Sequence, residues 1–109
     1  MAGSEKNELG RSDPSLLVLS SLAGGEKHGY AMVSDIEEMA GVHLGPGTLY
    51  GALSRLEAEG LIEAAEPDGR RRPYRLTAPG AEALGRQLTA LSRMADTGLS
   101  RLRAAGAAT

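Results

Sequence analysis

Four arginines lie within six residues, at positions 70, 71, 72 and 75, directly after an Asp68-Gly69 pair. A guanidinium keeps its charge at any physiological pH and can bind phosphate through two N–H groups at once. Each arginine that neutralises a phosphate also releases a bound counterion, so a run this dense favours a nucleic-acid backbone as its ligand. On charge alone, a solvated arginine-rich surface is the simpler interpretation.

The charge of the chain is divided unevenly along its length. Residues 1–69 contain 4 Lys/Arg and 12 Asp/Glu, whereas residues 70–109 contain 8 and 2. The formal net charge of -2 therefore hides a basic segment. Such a segment can form one basic face on an otherwise acidic protein.

Other kinds of site find little support in the sequence. The chain has no cysteine, and the spacing of His28 and His43 fits no compact metal motif. No nucleophile stands in a pattern with a base, and no Walker-type phosphate loop is present. We therefore predict no catalytic residue, no metal, no cofactor and no enzyme activity, and we expect His28 to cap or flank a helix.

The composition also bears on location. Residues 1–11 are polar and have no apolar period, so we expect a disordered lead-in and no secretory signal. No stretch approaches about 18 continuous apolar residues, which predicts that nothing spans a membrane. Together with the lack of cysteine, this favours a cytoplasmic protein.

The elements that must position the arginines follow from capping residues, glycines and apolar periods. We predict four helices and one hairpin. The first helix runs from Ser12-Asp13-Pro14 to Gly24-Gly25, the second from about His28 to Ala40, and the third from about Gly45 to Glu59, with a short extended segment Val42-His43-Leu44 before the third. The hairpin follows, with strands Leu61–Glu66 and Arg72–Thr77 around the turn Pro67-Asp68-Gly69. A long helix capped by Thr77 comes last.

The third helix has two different faces. Leu49, Leu53 and Leu56 fall on one side and are predicted to lie in the core. The opposite side is small and polar, and it holds Gly47, Gly51, Ser54, Arg55 and Ala58. With Thr48 at the helix start, this face can approach a groove of DNA closely and hydrogen-bond phosphates or base edges. An exposed helix that only keeps the domain soluble is an equally good interpretation of this helix alone.

The order of helix, helix, helix, hairpin and long helix predicts a mainly α fold with a small β-hairpin, a winged helix-turn-helix. We divide the chain into a disordered segment at 1–11, a DNA-binding domain at 12–77 and a C-terminal helix at 78–105. In this fold the hairpin of residues 61–77 is the wing, and it carries the arginine cluster.

The long helix carries apolar residues at heptad-like spacing. Leu84, Leu88, Leu91, Ala95, Gly98 and Leu102 are separated alternately by four and three residues. A helix that continues beyond a small core has little of its own chain to cover it, so we predict that this stripe forms a homodimer, with Leu16 of the first helix completing the contact. Burial of the stripe in the core of its own chain is the alternative.

An ordered set of motifs over residues 14–90 resembles the PadR family of transcriptional regulators. The motifs are His28-Gly29-Tyr30, Gly47-Thr48-Leu49-Tyr50, Leu53, Arg55-Leu56-Glu57, Gly60-Leu61-Ile62, Gly69-Arg70-Arg71-Arg72 and Tyr74-Arg75-Leu76-Thr77. The resemblance implies a dimeric winged-helix protein, usually a repressor, with a C-terminal dimerisation helix. Gly51 stands where the family often has proline. Because the chain has no Trp or Phe, the binding of planar ligands known in some members is not carried over.

These observations predict a regulator that binds an inverted-repeat operator in double-stranded DNA as a homodimer, with a small-molecule effector of unidentified chemistry as a further partner and no membrane. The predicted DNA contacts are Gly47, Thr48, Tyr50, Ser54, Arg55, Gly69, Arg70, Arg71 and Arg72. The predicted dimer contacts are Leu16, Leu84, Leu88, Leu91, Ala95 and Leu102. A protein–protein adaptor and a small-molecule sensor with the same fold remain as alternatives.

Overall fold

The computed structural model describes residues 13–106, so the predicted N-terminal segment 1–11 lies outside the described residues. The elements are α1 (Pro14–Leu22), α2 (Gly29–Ala40), α3 (Pro46–Ala58), β1 (Ile62–Ala64), β2 (Tyr74–Leu76) and α4 (Ala78–Ala105). Helices α1 to α3 pack together, and β1 and β2 form an antiparallel two-stranded sheet beside them. This arrangement confirms the predicted mainly α fold with a small hairpin and a long C-terminal helix.

The helix starts are set by the predicted capping side chains. Asp13 Oδ1 accepts a hydrogen bond from the Ser15 N–H (3.0 Å), and His28 Nδ1 accepts one from the Ala31 N–H (3.4 Å). Thr77 Oγ1 accepts from the Gly80 N–H at 3.0 Å. Each cap satisfies a backbone donor that a helix start leaves unpaired. Gly41 ends α2 in the left-handed conformation, with φ 70.

The core lies where α1, α2 and α3 meet. Val18, Met32 and Ile36 are completely buried, and the three leucines predicted on the inner face of α3 are buried with them. A polar contact closes the turn between α1 and α2. There the buried Ser21 hydroxyl donates to Asp35 Oδ2 (2.7 Å), and Lys27 Nζ donates to the Ser21 carbonyl oxygen (2.6 Å).

The hairpin differs in detail from the prediction. Its strands are three residues each, with Ile62 opposite Leu76 and Ala64 opposite Tyr74. The tip is closed by paired backbone hydrogen bonds between Asp68 and Arg71 (3.0 Å each), so the turn is centred on residues 69–70, one residue later than predicted. Gly69 supplies the positive φ of 65 that this turn requires. Between the sheet and the tip, the three residues 65–67 of one side lie opposite the two residues 72–73 of the other. The extra residue makes a β-bulge.

A third backbone segment pairs with the wing, and the sequence did not indicate it. The Lys27 N–H donates to the Tyr74 carbonyl oxygen (3.2 Å), and the Tyr74 N–H donates to the Lys27 carbonyl oxygen (3.0 Å). The segment 42–44, which was predicted to be short and extended, forms no strand, because it makes no ladder pairing and only Leu44 is buried there. The third backbone segment beside the sheet is therefore at Lys27, the residue before His28.

The start of α4 packs against the segment that follows α3. The Thr77 N–H donates to the Leu61 carbonyl oxygen (3.1 Å), and the Thr77 hydroxyl donates to the Gly60 carbonyl oxygen (2.7 Å). Gly80 is buried in the first turn of α4, and a Cβ there would overlap the Leu61 carbonyl oxygen and lie 2.9 Å from its carbon. Only glycine fits at this contact.

Helix α4 has 28 residues and leaves the body of the protein after its second turn. Leu84, which was predicted as a dimer contact, packs into the core of its own chain and is 4 % exposed. Every residue from Gly85 to Ala105 is exposed, including Ala95 and Gly98. Leu16 is half-buried against the core. Within the part of the chain that the structure describes, no helix is both long and apolar enough to cross a membrane.

Candidate nucleic-acid interface

A cleft of about 390 Å³ opens between the start of α2, the first turns of α3 and the wing. It contains all three tyrosines of the chain and the three consecutive arginines. Its lining residues are His28, Gly29, Tyr30, Tyr50, Arg70, Arg71, Arg72 and Tyr74. No carboxylate is among them, so the cleft presents guanidinium, imidazole and phenol groups to solvent.

The tyrosines lie at different depths in this cleft. Tyr30 is the most exposed, at 81 %, while Tyr50 is half exposed and Tyr74 is half-buried. The Tyr50 hydroxyl lies against the backbone of Gly29, where a Cβ would come within 2.7 Å of Tyr50 Oη. The glycine of the His-Gly-Tyr motif thereby allows a ring from α3 to lie across the start of α2.

The phenol of Tyr74 stays protonated at neutral pH. Burial raises the pKa of Tyr74, and the nearby Glu57 carboxylate and Tyr50 raise it further, while Arg72 opposes them. A protonated hydroxyl can both donate and accept a hydrogen bond. Tyr74 can therefore serve as a neutral partner among the charged groups of the cleft.

The arginines of the wing fall into two groups. Arg70, Arg71 and Arg72 are exposed, and among residues 13–106 none of them forms an ion pair with a carboxylate. Arg75 instead pairs with Glu63 (2.7 Å) on the facing strand and with Glu26 (3.4 Å). The hydrogen bond and charge of Glu63, followed by Glu26, raise the pKa of Arg75. Three of the four arginines are thus available to an anionic ligand.

The outward face of α3 is exposed as predicted. Gly47, Thr48, Gly51, Ser54 and Ala58 are all open to solvent. Arg55 lies on the side of α3 away from the wing, and its Nη2 donates to the Ser15 hydroxyl of α1 (2.8 Å). Tyr50 lies on the side toward the wing. The structure therefore brings Tyr50 together with Arg70, Arg71 and Arg72, and it places Arg55 across the helix from them.

Four members of the cleft were not among the predicted contacts, namely His28, Gly29, Tyr30 and Tyr74. His28 and Tyr30 belong to a motif at a helix start, and the pairing of Lys27 with Tyr74 brings that start beside the wing. No sequence signal marks that pairing. Among residues 13–106, no group of three or more His, Cys, Asp or Glu side chains could hold a metal ion.

Comparison with known proteins gives consistent matches. The family model of the transcriptional regulator PadR-like family matches residues 18–86. A transcriptional regulator of Mycobacterium tuberculosis is 40 % identical over 91 residues, which are 81 % of this chain and 84 % of that protein. An uncharacterized 37.1 kDa protein in a transposon of Streptomyces fradiae is 48 % identical over 83 residues. The match to that protein includes 76 % of this chain but spans only 24 % of its own length.

The fold also matches solved structures. A crystal structure of a PadR family transcriptional regulator from Eggerthella lenta superposes with a TM-score of 0.74 at 32 % identity. The match covers 93 % of this chain and 90 % of that one. It therefore includes the winged-helix body as well as the greater part of the long C-terminal helix.

Proposed function

The chain belongs to the PadR-like family of transcriptional regulators, and from that premise we propose that it binds an inverted-repeat operator in double-stranded DNA as a homodimer and represses transcription. The observation that carries this proposal is the cleft, in which three arginines without carboxylate partners among the described residues lie beside the small, exposed face of α3. A duplex offers phosphates to the arginines and a major groove to the helix. Repression follows if the bound dimer excludes RNA polymerase from the promoter.

In this proposal the two parts of the interface have different tasks. Thr48 and Ser54 read base edges, and Gly47 and Gly51 allow α3 to approach the groove closely. Tyr50 and the wing arginines bind the phosphate backbone on one side, with Gly69 shaping the tip that presents them. Arg55 binds the sugar–phosphate backbone of the DNA on the side of α3 nearer α1. The phosphate contacts supply affinity and register, and the contacts of α3 supply sequence choice.

Binding to a promoter fragment that contains an inverted repeat should depend steeply on salt. Six wing arginines and the two copies of Arg55 in a dimer, each neutralising one phosphate, give a slope of log K against log salt of about -7. Raising the salt from about 50 to 200 mM should then weaken binding by a factor on the order of ten thousand. Fluorescence anisotropy with labelled duplex measures this, with a fragment of equal length and scrambled half-sites as the control. An affinity that does not change with salt would contradict the proposal.

The homodimer is proposed from the exposed apolar residues of α4. Leu88, Leu91 and Leu102 lie on one side of the helix with Ala95 and Gly98 between them, and Leu91 remains 38 % exposed within the described residues. Leu84 and Leu16 are held by the core at the base of this stripe. To contact successive major grooves, the paired helices must hold the two copies of α3 about 34 Å apart.

A charge in the stripe should separate the protomers without unfolding them. We expect the full chain to sediment as a dimer at micromolar concentration and Leu91→Lys to sediment as a monomer with the same helix content, because a buried lysine in the contact has no partner. Thr89→Lys is the matched control, since position 89 is exposed on the other side of α4. A wild-type chain that stays monomeric at high concentration, or a dimer unaffected by Leu91→Lys, would refute this contact.

A further inference from the structure

Tyr30 is an aromatic residue of the cleft to which the proposed DNA contacts give no task. It lines the cleft together with the wing arginines, yet it is 81 % exposed, so its ring packs against little of its own chain. Tyr50, by contrast, has its hydroxyl against the backbone of Gly29. An aromatic ring left open beside a basic cluster is a surface on which the ring of a ligand can stack.

A DNA duplex cannot use the face of this ring. The bases of a duplex are stacked on one another, and the duplex presents phosphates and groove edges to a protein. An aromatic side chain stacks only on a base whose face is free, as it is in a single nucleotide. The cleft is also concave, and its volume of about 390 Å³ lies within the range of small-molecule sites. These features favour a small ligand that carries an aromatic ring.

The start of α2 offers the cleft hydrogen-bond donors. His28 Nδ1 accepts from the Ala31 N–H (3.4 Å), which places the proton of a neutral imidazole on Nε2. That Nε2 lies 3.3 Å from Nη1 of Arg71, so two donors lie side by side. Helix α2 begins at Gly29, and the free N–H groups of a first helical turn favour anions. The oxygens of a phosphate chain can accept from all of these donors.

The charge of the cleft suits more than one phosphate group. Arg70, Arg71 and Arg72 form no ion pair with a carboxylate among residues 13–106, and no carboxylate lines the cleft. A phosphate monoester carries a charge of about −1.5 to −2 at neutral pH. Three guanidinium groups therefore exceed the charge that a single phosphate group can neutralise, and a chain of phosphates matches them better.

We propose that the cleft binds a free nucleoside polyphosphate, with the base stacked on Tyr30 and the phosphates held by the wing arginines and the Nε2–H of His28. In the proposed function the same arginines bind the DNA backbone, so the nucleotide and the operator exclude each other. A rise in nucleotide concentration then releases the protein from DNA. This regulatory step rests on the proposed function, whereas the binding of a nucleotide by the free protein does not.

Calorimetry on the full chain without DNA or divalent cations tests the site, with ATP as the probe and inorganic triphosphate as the matched anion that has no base. At constant ionic strength, ATP should bind about tenfold more tightly than triphosphate, because its base stacks on the ring of Tyr30. In Tyr30→Ala the two affinities should become equal. Tyr30→Phe is the matched control, since it keeps the ring and should keep the preference for ATP. Both variants should fold, because Tyr30 is exposed.

Competition with DNA tests the regulatory step. ATP added to the complex of the wild type with a labelled promoter duplex should lower the fluorescence anisotropy at about tenfold lower concentration than triphosphate does, at constant ionic strength. In Tyr30→Ala the two anions should displace the duplex equally well. A duplex that stays bound to protein saturated with ATP would overturn the regulatory step.

The outcomes separate the nucleotide site from the proposed function. If the wild type binds the duplex but does not prefer ATP over triphosphate, the nucleotide site is refuted and DNA binding is left intact. The same holds if Tyr30→Ala retains the preference or Tyr30→Phe removes it. A preference for ATP in a protein that binds no duplex would instead refute the proposed function and leave the nucleotide site.

Discussion

Replacing Arg70 and Arg71 together with alanine is expected to weaken DNA binding about four-thousandfold at about 0.1 M salt. The change removes four phosphate contacts from a dimer. Each contact contributes roughly 0.9 to the base-10 logarithm of the association constant at that salt concentration. The slope of log K against log salt should become less steep by about 3.6 for the same reason. Both side chains are exposed and neither is paired with a carboxylate among the described residues, so the fold should be unchanged.

The matched control for this variant removes the same charge elsewhere. Arg86 and Arg93 are exposed on α4, on the side of the helix opposite the apolar stripe. Arg86→Ala with Arg93→Ala lowers the net charge as much as the wing variant does, but it should change affinity by less than about tenfold through long-range electrostatics alone. Equal losses in the two double variants would mean that net charge, rather than the wing, governs binding.

Gly80→Ala is expected to have the largest effect on stability of any single methyl added to this chain. The new Cβ would overlap the Leu61 carbonyl oxygen and lie 3.2 Å from Leu76 Cδ1. A backbone carbonyl cannot turn aside as the end of a flexible side chain can. The start of α4 must therefore move away from Leu61, which weakens the hydrogen bonds of Thr77 to Gly60 and Leu61. We expect a loss of about 3 kcal/mol in the free energy of unfolding.

The control is the same substitution further along the helix. A Cβ added to Gly85 of α4 would have no neighbouring atom within 4 Å, so Gly85→Ala should raise the free energy of unfolding by about 0.5–1 kcal/mol through helix propensity. Urea titration followed by circular dichroism measures both variants. A Gly80→Ala protein as stable as the wild type would show that α4 does not need this close contact with Leu61.

The elements could be predicted from the sequence because their ends depend on nearby residues. Asp13, His28 and Thr77 cap the helix that follows each of them, and the inner leucines of α3 repeat at helical spacing. The turn was misplaced by one residue because Pro67, Asp68 and Gly69 all favour turns, and only the pairing of Asp68 with Arg71 decides between registers.

The site could be predicted only in part, because it depends on contacts between distant segments. The arginine run and the small face of α3 can be recognised from the types and spacing of the residues alone. The convergence of Tyr30, Tyr50 and Tyr74 requires the pairing of Lys27 with Tyr74, which uses backbone atoms that every residue has. The need for glycine at position 80 depends on the carbonyl of Leu61, and the engagement of Arg75 depends on its cross-strand neighbour Glu63.

The backbone pairing of Lys27 with Tyr74 also determines how freely this region can vary in evolution. It joins the wing to the start of α2 through main-chain N–H and C=O groups alone, so it places almost no demand on which amino acids occupy the two positions. Proline is the exception, because it lacks the N–H that each partner donates. Side chains around the cleft can therefore be exchanged while the attachment of the wing stays the same.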